Sequence, residues 1–322
     1  MRILMLGTGP FAVPTFQALL AAHDVPALIT RPTPPPRGRV KQAVNPMRDV
    51  AEARGLPIHA PDSINTPEAV ELLRSYSPEL LVVCDYGQIL SPAALAAAPL
   101  GGINLHASLL PKYRGAAPIN WAILQGDTET GVTVIHMTPR LDGGPCLAIR
   151  RTPIGPTETT AELEPRLATL GVDAVNESLA LLANWDRVSQ LGELQDQSAV
   201  TKAPRLTKDH ARVNWTKSAK TIADQVRGLK PWPGTYSHWL RSNGEPLRLI
   251  LDQVTVAPGE GEPGTVLNSS PGKLVIACGQ DALSLDLVQP AGKRVLPVAE
   301  FLRGYPIKPG EHFGDPPAEI TA

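Results

Sequence analysis

The chain has 322 residues, 43% of them hydrophobic and 19% charged, with a formal net charge of −1. That length exceeds the usual single compact domain, and the apolar content can fill sizeable cores, so two folded domains are expected and a disordered chain is excluded. Cys84, Cys146 and Cys278 lie far apart and form no CxxC or Cys/His cluster, which argues against a disulfide framework and for structural thiols in a reducing compartment.

The first apolar run, Met1–Leu6, is interrupted at once by Gly7, Gly9 and Pro10, so it reads as a buried strand and turn rather than a signal sequence. A helix follows over Phe11–Ala22, then a strand over Val25–Ile29, a helix after Pro46, and a strand over Leu80–Cys84 after another helical stretch. Ile103–His106 and Val132–Met137 add strands, with Pro118–Leu124 as the intervening helix. This alternation predicts βαβ units in a Rossmann-like, doubly wound, mainly parallel sheet. No uninterrupted apolar stretch approaches the roughly 20 residues that a membrane span requires, and a cytoplasmic location is expected.

Gly7-Thr8-Gly9, between strand and helix, suggests a dinucleotide site. The third glycine position is Ala12, however, and the second strand ends in Thr30-Arg31 where an acid would hold a ribose. Asn104 and His106, two residues apart at the end of a strand, share one face of it, with Leu105 turned to the other. Asp142 follows in Arg140-Leu-Asp-Gly-Gly144. An amide donor, an imidazole and a carboxylate can together polarise a carbonyl, stabilise an oxyanion and move protons. Singly, each has an ordinary reading as a strand-end amide, a packed ring or a turn acid. His136 is too far from His106 in sequence for a compact ligand motif, and without a His-Glu-x-x-His no metal is expected.

A helix from about Thr159 to Leu182 ends the first region, which spans residues 1–185, and residues 186–206 lose the apolar period and read as a linker. Residues 207–322 form the second region. It has one helix, Ser218–Leu229, and then short strands at Leu247–Leu251, Gly264–Leu267, Leu274–Cys278 and Leu283–Leu287, the pattern of a small barrel or sandwich. Between residues 201 and 250 ten basic residues face only Asp209, Asp224 and Glu245, an excess of seven positive charges in a chain whose total is −1. Such segregation can supply phosphate contacts, although a solvated face remains the simpler reading. Trp215, Trp232, Tyr236 and Trp239 read as core and interface aromatics.

The Asn104-x-His106 pair with distant Asp142 resembles the shared trio of the formyltransferases that use 10-formyltetrahydrofolate. Ser108-Leu-Leu-Pro111 and Lys112-Tyr-Arg-Gly-Ala-Ala-Pro-Ile-Asn120 are similar to the branch that acts on methionyl-tRNA, as are Leu6-Gly-Thr-Gly-Pro-Phe-Ala12, Asp85-Tyr-Gly-Gln-Ile-Leu90, Lys230-Pro-Trp-Pro233 and Leu287-Val-Gln-Pro-Ala-Gly-Lys293. The resemblance implies catalysis by Asn104, His106 and Asp142. It implies a folate site built from Tyr86, Gly87, Gln88, Ile89 and Leu90 together with Ser108, Leu109, Leu110 and Pro111. It also implies an oligonucleotide-binding-like barrel, and tRNA contacts from Arg37, Arg39 and Lys41 in a Pro-rich loop and from Lys202, Arg205 and Lys208. The implied reaction moves a formyl group from 10-formyltetrahydrofolate to the amino group of methionyl initiator tRNA, without a metal, in an enzyme expected to be monomeric. An amino-sugar nucleotide acceptor, a formyl hydrolase module or an RNA-binding module with a degenerate enzyme domain are the alternatives. Two departures stand out: the family pattern is Gly-Thr-Pro-Asp-Phe-Ala where this chain has Gly9-Pro10, and Asp85 stands where relatives often carry a small apolar residue.

Overall fold

The computed structural model describes residues 1–33, 45–242 and 244–316. The chain divides into two compact units, the first comprising residues 1–119, 129–154 and 162–205, the second residues 120–128, 155–161 and 206–322.

In order, the first half carries β1 (Ile3–Gly7), α1 (Val13–Ala22), β2 (Leu28–Ile29), α2 (Pro46–Ala53), β3 (Ile58–His59), α3 (Pro67–Ser75), β4 (Leu80–Cys84), α4 (Pro92–Leu95), β5 (Gly102–His106), β6 (Arg114–Gly115) and α5 (Pro118–Leu124). It continues through β7 (Glu129–His136), β8 (Cys146–Pro153), α6 (Thr160–Ala183) and β9 (Lys202–Ala203). One sheet has the order β3-β2-β1-β4-β5-β7-β8. Every residue of β1 and β4 is buried, as expected of parallel strands covered on both faces. Helix starts follow local chemistry: Thr66 and Ser91 each accept an N–H three residues on, from Ala69 and Ala94, with Pro67 and Pro92 opening the helices. Gly171 lets α6 lie close to the sheet, since a Cβ there would stand 2.6 Å from Leu105 Cδ2.

The parallel alternation stops at β5. β7, expected as a further strand of βαβ type, pairs antiparallel with β5, and β8 pairs antiparallel with β7 in a hairpin. The connection from β5 to β7 carries β6 and the seven-residue α5, and the chain returns antiparallel along the neighbouring strand.

The second unit contains α7 (Ala219–Gly228), β10 (Tyr236–Leu240), β11 (Leu247–Ala257), β12 (Val266–Ser270), β13 (Lys273–Ala277), β14 (Ala282–Pro290), β15 (Leu296–Pro297), α8 (Val298–Gly304) and β16 (His312–Gly314). The strands follow the order β12-β13-β14-β11-β10-β16, with β15 on β14, and a bridge between Thr265 and His312 joins the two ends of the curled sheet. Trp215, Ile222, Trp239, Leu251, Leu285 and Phe301 fill its interior. Trp215 and Trp239 are therefore core residues, and their indole N–H groups reach Ser237 Oγ at 2.9 Å and Glu311 Oε2 at 3.0 Å. Trp232, by contrast, is 53% exposed. All three thiols are free and buried. Burial pushes Cys84 well above the ordinary thiol range, Cys278 up to about 12 and Cys146 up to about 11. Among the described residues no helix is long and apolar enough to cross a membrane.

Candidate active site

Asn104 lies inside β5, opposite Ile135 of β7 and Val83 of β4, and His106 closes the strand opposite Thr133. The period of two places both side chains on one face, as their spacing requires. Among the described residues no group accepts a hydrogen bond from the Asn104 amide, so its donors are free for a ligand. His106 is buried, and its Nε2 lies 2.9 Å from the carbonyl oxygen of Tyr113. A carbonyl can only accept, so Nε2 carries a proton and Nδ1 is the nitrogen left for chemistry.

Asp142 comes from the connection between β7 and β8. Its Oδ2 accepts the Gly115 N–H at 2.8 Å and stands 3.8 Å from His106 Nδ1. That separation is too long for a direct hydrogen bond and suits a shared water or substrate atom. The ring is therefore oriented by the Tyr113 carbonyl rather than by Asp142. His106 and Asp142 thus face each other, with Asn104 on the same face of β5 as His106. Asp142 holds φ at 48° and Tyr113 at 62°, left-handed values that cost non-glycine residues on the order of 1–3 kcal/mol and need support from their surroundings.

That support includes residues without any local signature. Thr133 Oγ1 donates to the Ser108 carbonyl at 2.7 Å and accepts the Leu110 N–H at 3.1 Å, bracketing the Ser108–Pro111 turn. Thr201 Oγ1 accepts the Tyr113 N–H at 2.8 Å, and β9 pairs with β6. Gln195, from the segment expected as a linker, donates to the carbonyls of Asp142 and Gly144. That segment is thus tied to the site at Glu193, Gln195, Thr201 and Ala203, Glu193 exchanging backbone hydrogen bonds with Cys146 and the Ala203 carbonyl accepting from the Ala116 N–H.

The expected folate residues divide by environment. Tyr86 and Leu90 are buried in the core beneath the sheet edge, whereas Ile89 is 60% exposed and available to a ligand. Gly87 has φ at 76°, and Gln88 ties the loop down by accepting the Ile64 N–H at 2.8 Å. Ser108 donates to the Lys112 carbonyl, Leu110 packs with Ile135 and Cys146, and the Leu110–Pro111 peptide is cis. Leu109 Cδ2 would stand 2.6 Å from a Cβ at Gly131, so part of this side chain lies on β7. Of the basic residues singled out, Lys202, Arg205 and Lys208 are exposed, while Arg37, Arg39 and Lys41 lie outside the described residues.

The two departures noted in the sequence touch each other. A Cβ on residue 9 would stand 1.6 Å from Asp85 Oδ2, so glycine at 9 leaves the room that the carboxylate occupies. Burial, with a contribution from Glu164 on α6, raises the Asp85 carboxyl from 3.8 to about 6. Part of the residue stays open to solvent, which moderates the effect without changing its sign. The folded state binds this proton more tightly than the unfolded chain does. Its stabilising contribution is therefore complete below 3.8 and is lost as the pH rises through about 6. Asp85→Asn should raise the melting temperature at neutral pH, with the gain shrinking on acidification across that window. An equal gain in thermal melts at both ends of the window would show that ionisation of Asp85 is not the cause.

Two family profiles match the chain: one described as Formyl transferase over residues 1–179, the other as Formyl transferase, C-terminal domain, over residues 205–306. The chain belongs to the formyl transferase family. It is 46% identical to a methionyl-tRNA formyltransferase of Rhodopirellula baltica, aligned over 97% of this chain and 96% of the relative. With the methionyl-tRNA formyltransferase of Moorella thermoacetica the identity is 42%, over 98% of this chain and 99% of that one. Among solved structures, an N-formyltransferase from Helicobacter canadensis in complex with folinic acid and dTDP-3-aminofucose superposes with a TM-score of 0.62 at 16% identity, over 88% of this chain and 99% of that one. HypX from Aquifex aeolicus in complex with tetrahydrofolic acid gives 0.57 at 19% identity, over 94% of this chain and 47% of that one. At such identities the likeness is one of fold.

Proposed function

We propose that this family member transfers the formyl group of 10-formyltetrahydrofolate to the amino group of methionyl initiator tRNA, supporting translation initiation in the cytoplasm. The observation that carries the reading is the near full-length identity to methionyl-tRNA formyltransferases, in a chain where His106 faces Asp142 and Asn104 shares a face of β5 with His106. A neutral amine attacks the formyl carbon, a C–N bond forms, and the bond from that carbon to the folate nitrogen breaks. The proton lost by the attacking nitrogen is balanced by the one gained on the folate nitrogen. The free Asn104 amide and His106, protonated or hydrogen-bonded at Nδ1, meet the developing oxyanion, where fixed donors in a site with little water are worth most. Asp142, anchored on the Gly115 N–H, faces that same Nδ1 and relays the proton through water. The folate donor sits against Ile89 and the Ser108–Pro111 turn.

Acceptor choice tests this directly. The protein is incubated with 10-formyltetrahydrofolate and either methionyl initiator tRNA or amino-sugar nucleotides, and formyl label is followed. Label on the tRNA is expected; label on the sugar alone would refute the proposed acceptor.

Part of the basic excess serves the fold. Asp224 holds Lys220 at 2.5 Å and Arg227 at 2.8 Å, Lys230 pairs with Asp252 at 2.8 Å, and Arg212 with Asp315 at 3.4 Å. Lys202, Arg205, Lys208 and Lys217 are exposed and, among the described residues, are in no ion pair; they are the candidates for phosphate binding. Neutralising Lys202, Arg205 and Lys208 should weaken tRNA binding and flatten the plot of log affinity against log salt by roughly 0.7–0.9 for each phosphate interaction removed. Fluorescence titrations with tRNA at several salt concentrations check this, and an unchanged slope would leave these residues as a solvated surface. Folate affinity should not move.

A further inference from the structure

The amide of Gln195 is saturated. Its Nε2 donates to the Asp142 carbonyl at 2.8 Å and to the Gly144 carbonyl at 2.7 Å, and its Oε1 accepts from Arg114 Nε at 3.1 Å and Nη2 at 2.6 Å. Turning the amide over would set its NH2 group against a guanidinium and its oxygen against two carbonyls, so only one orientation satisfies the network. The residue is 8% exposed, and loss of either half would leave buried polar groups unpaired. Its partners are the two main-chain groups that flank the left-handed turn carrying the Asp142 carboxylate. Arg114 in turn lies in β6, beside the Gly115 whose N–H holds Asp142 Oδ2. One side chain thus fixes the backbone of the turn and, through Arg114, the strand that grips its carboxylate.

We propose that Gln195 is a positioning residue for formyl transfer, acting through Asp142 by clamping the Asp142–Gly144 turn against β6. The inference rests on the proposed role of Asp142 and adds a residue some fifty positions away in sequence that touches no reacting atom. Misplacement of a catalytic group by about 1 Å can lower a rate by about 10². A clamp of this kind affects turnover more than ground-state binding, because Asp142 is needed most where charge develops.

Gln195→Met keeps the bulk and removes all four hydrogen bonds. Gln195→Glu keeps Arg114 as a partner but turns a carboxylate oxygen against the two carbonyls, so it loosens the turn while keeping the other half of the network and provides a second variant should the first not fold. Either is expected to lower kcat about 10- to 100-fold with both KM values nearly unchanged. The discriminating measurement is a double-mutant cycle with Asp142→Ala. If Gln195 acts through Asp142, its substitution should have little further effect once that carboxylate is gone. A merely structural Gln195 would lower activity by the same factor in both backgrounds, and that result overturns the proposal. Normal kcat in a folded Gln195 variant, beside an impaired Asp142→Ala, overturns it also and leaves the site assignment standing. Normal kcat in Asp142→Ala itself would remove the site assignment, and the positioning role with it.

Discussion

Replacing Asn104 or His106 by alanine should lower turnover about 10²–10³-fold, the scale expected for loss of one oxyanion donor. Folate affinity should stay within about twofold, because neither side chain belongs to the apolar walls proposed for the donor site. Among the described residues the Asn104 amide has free donors, so its removal leaves none of their groups unpaired and the loss of rate reports transition-state binding. His106 differs, since its ring also holds the Tyr113 carbonyl. His106→Ala should therefore lower the melting temperature as well, whereas Asn104→Ala should not. Steady-state kinetics on tRNA, folate titration and thermal melts on the same preparations separate these effects. Near-parent turnover in both variants would displace the site from β5.

The second large effect is expected at Gly144. A Cβ there would stand 1.8 Å from the carbonyl oxygen of His136, a backbone atom that cannot turn aside. Gly144→Ala must push apart the two ends of the connection that carries Asp142, which His136 N–H closes on the Pro145 carbonyl at 3.0 Å. Overpacking of this kind costs about 1–3 kcal/mol, and turnover should fall with it because the carboxylate moves. Gly143 is the control in the adjoining position. Its added Cβ would meet the stem of the Arg140 side chain, Cδ at 2.5 Å and Cγ at 2.6 Å, which must change rotamer but is not backbone. Gly143→Ala should be the milder of the two in both melting temperature and rate. Equal damage from the two substitutions would mean that the close approach at Gly144 is not what constrains the turn.

Much of the first sheet was legible because its central strands are hydrophobic on both faces. Ile3–Gly7 and Leu80–Cys84 announce themselves as short apolar runs, and Asn104 and His106 interrupt a third such run at the period of a strand. β8 was not anticipated, because Arg150, Arg151 and Thr152 mask an antiparallel strand whose outer half faces ion-pair partners such as Glu129. β10 was hidden for another reason. Its aromatics read as core residues, yet only Ser237 and Trp239 point fully inward while Tyr236 lies under the Arg248 guanidinium, 4.0 Å from the ring centre. At the site, the trio has local spacing or motif context, but the residues that hold it do not. Gln195 and Thr201 act on main-chain groups 53 and 88 positions away, and side-chain to backbone bonds leave no periodic trace. The contact between Gly9 and Asp85 shows the same limit: each was visible as a departure, and only the fold joins them.

The buried thiols give the molecule a built-in clock for its own opening. Cys84 ends the central strand of the first unit, and Cys278 follows β13 in the core of the second. With both thiols pushed far above neutrality, a thiol-specific reagent finds almost no thiolate and no access while the sheets are closed. Modification then proceeds at the rate, or the equilibrium frequency, with which each sheet exposes its cysteine. Mapping which thiol is labelled first would rank the local stability of the two units within the intact chain, with no introduced probe.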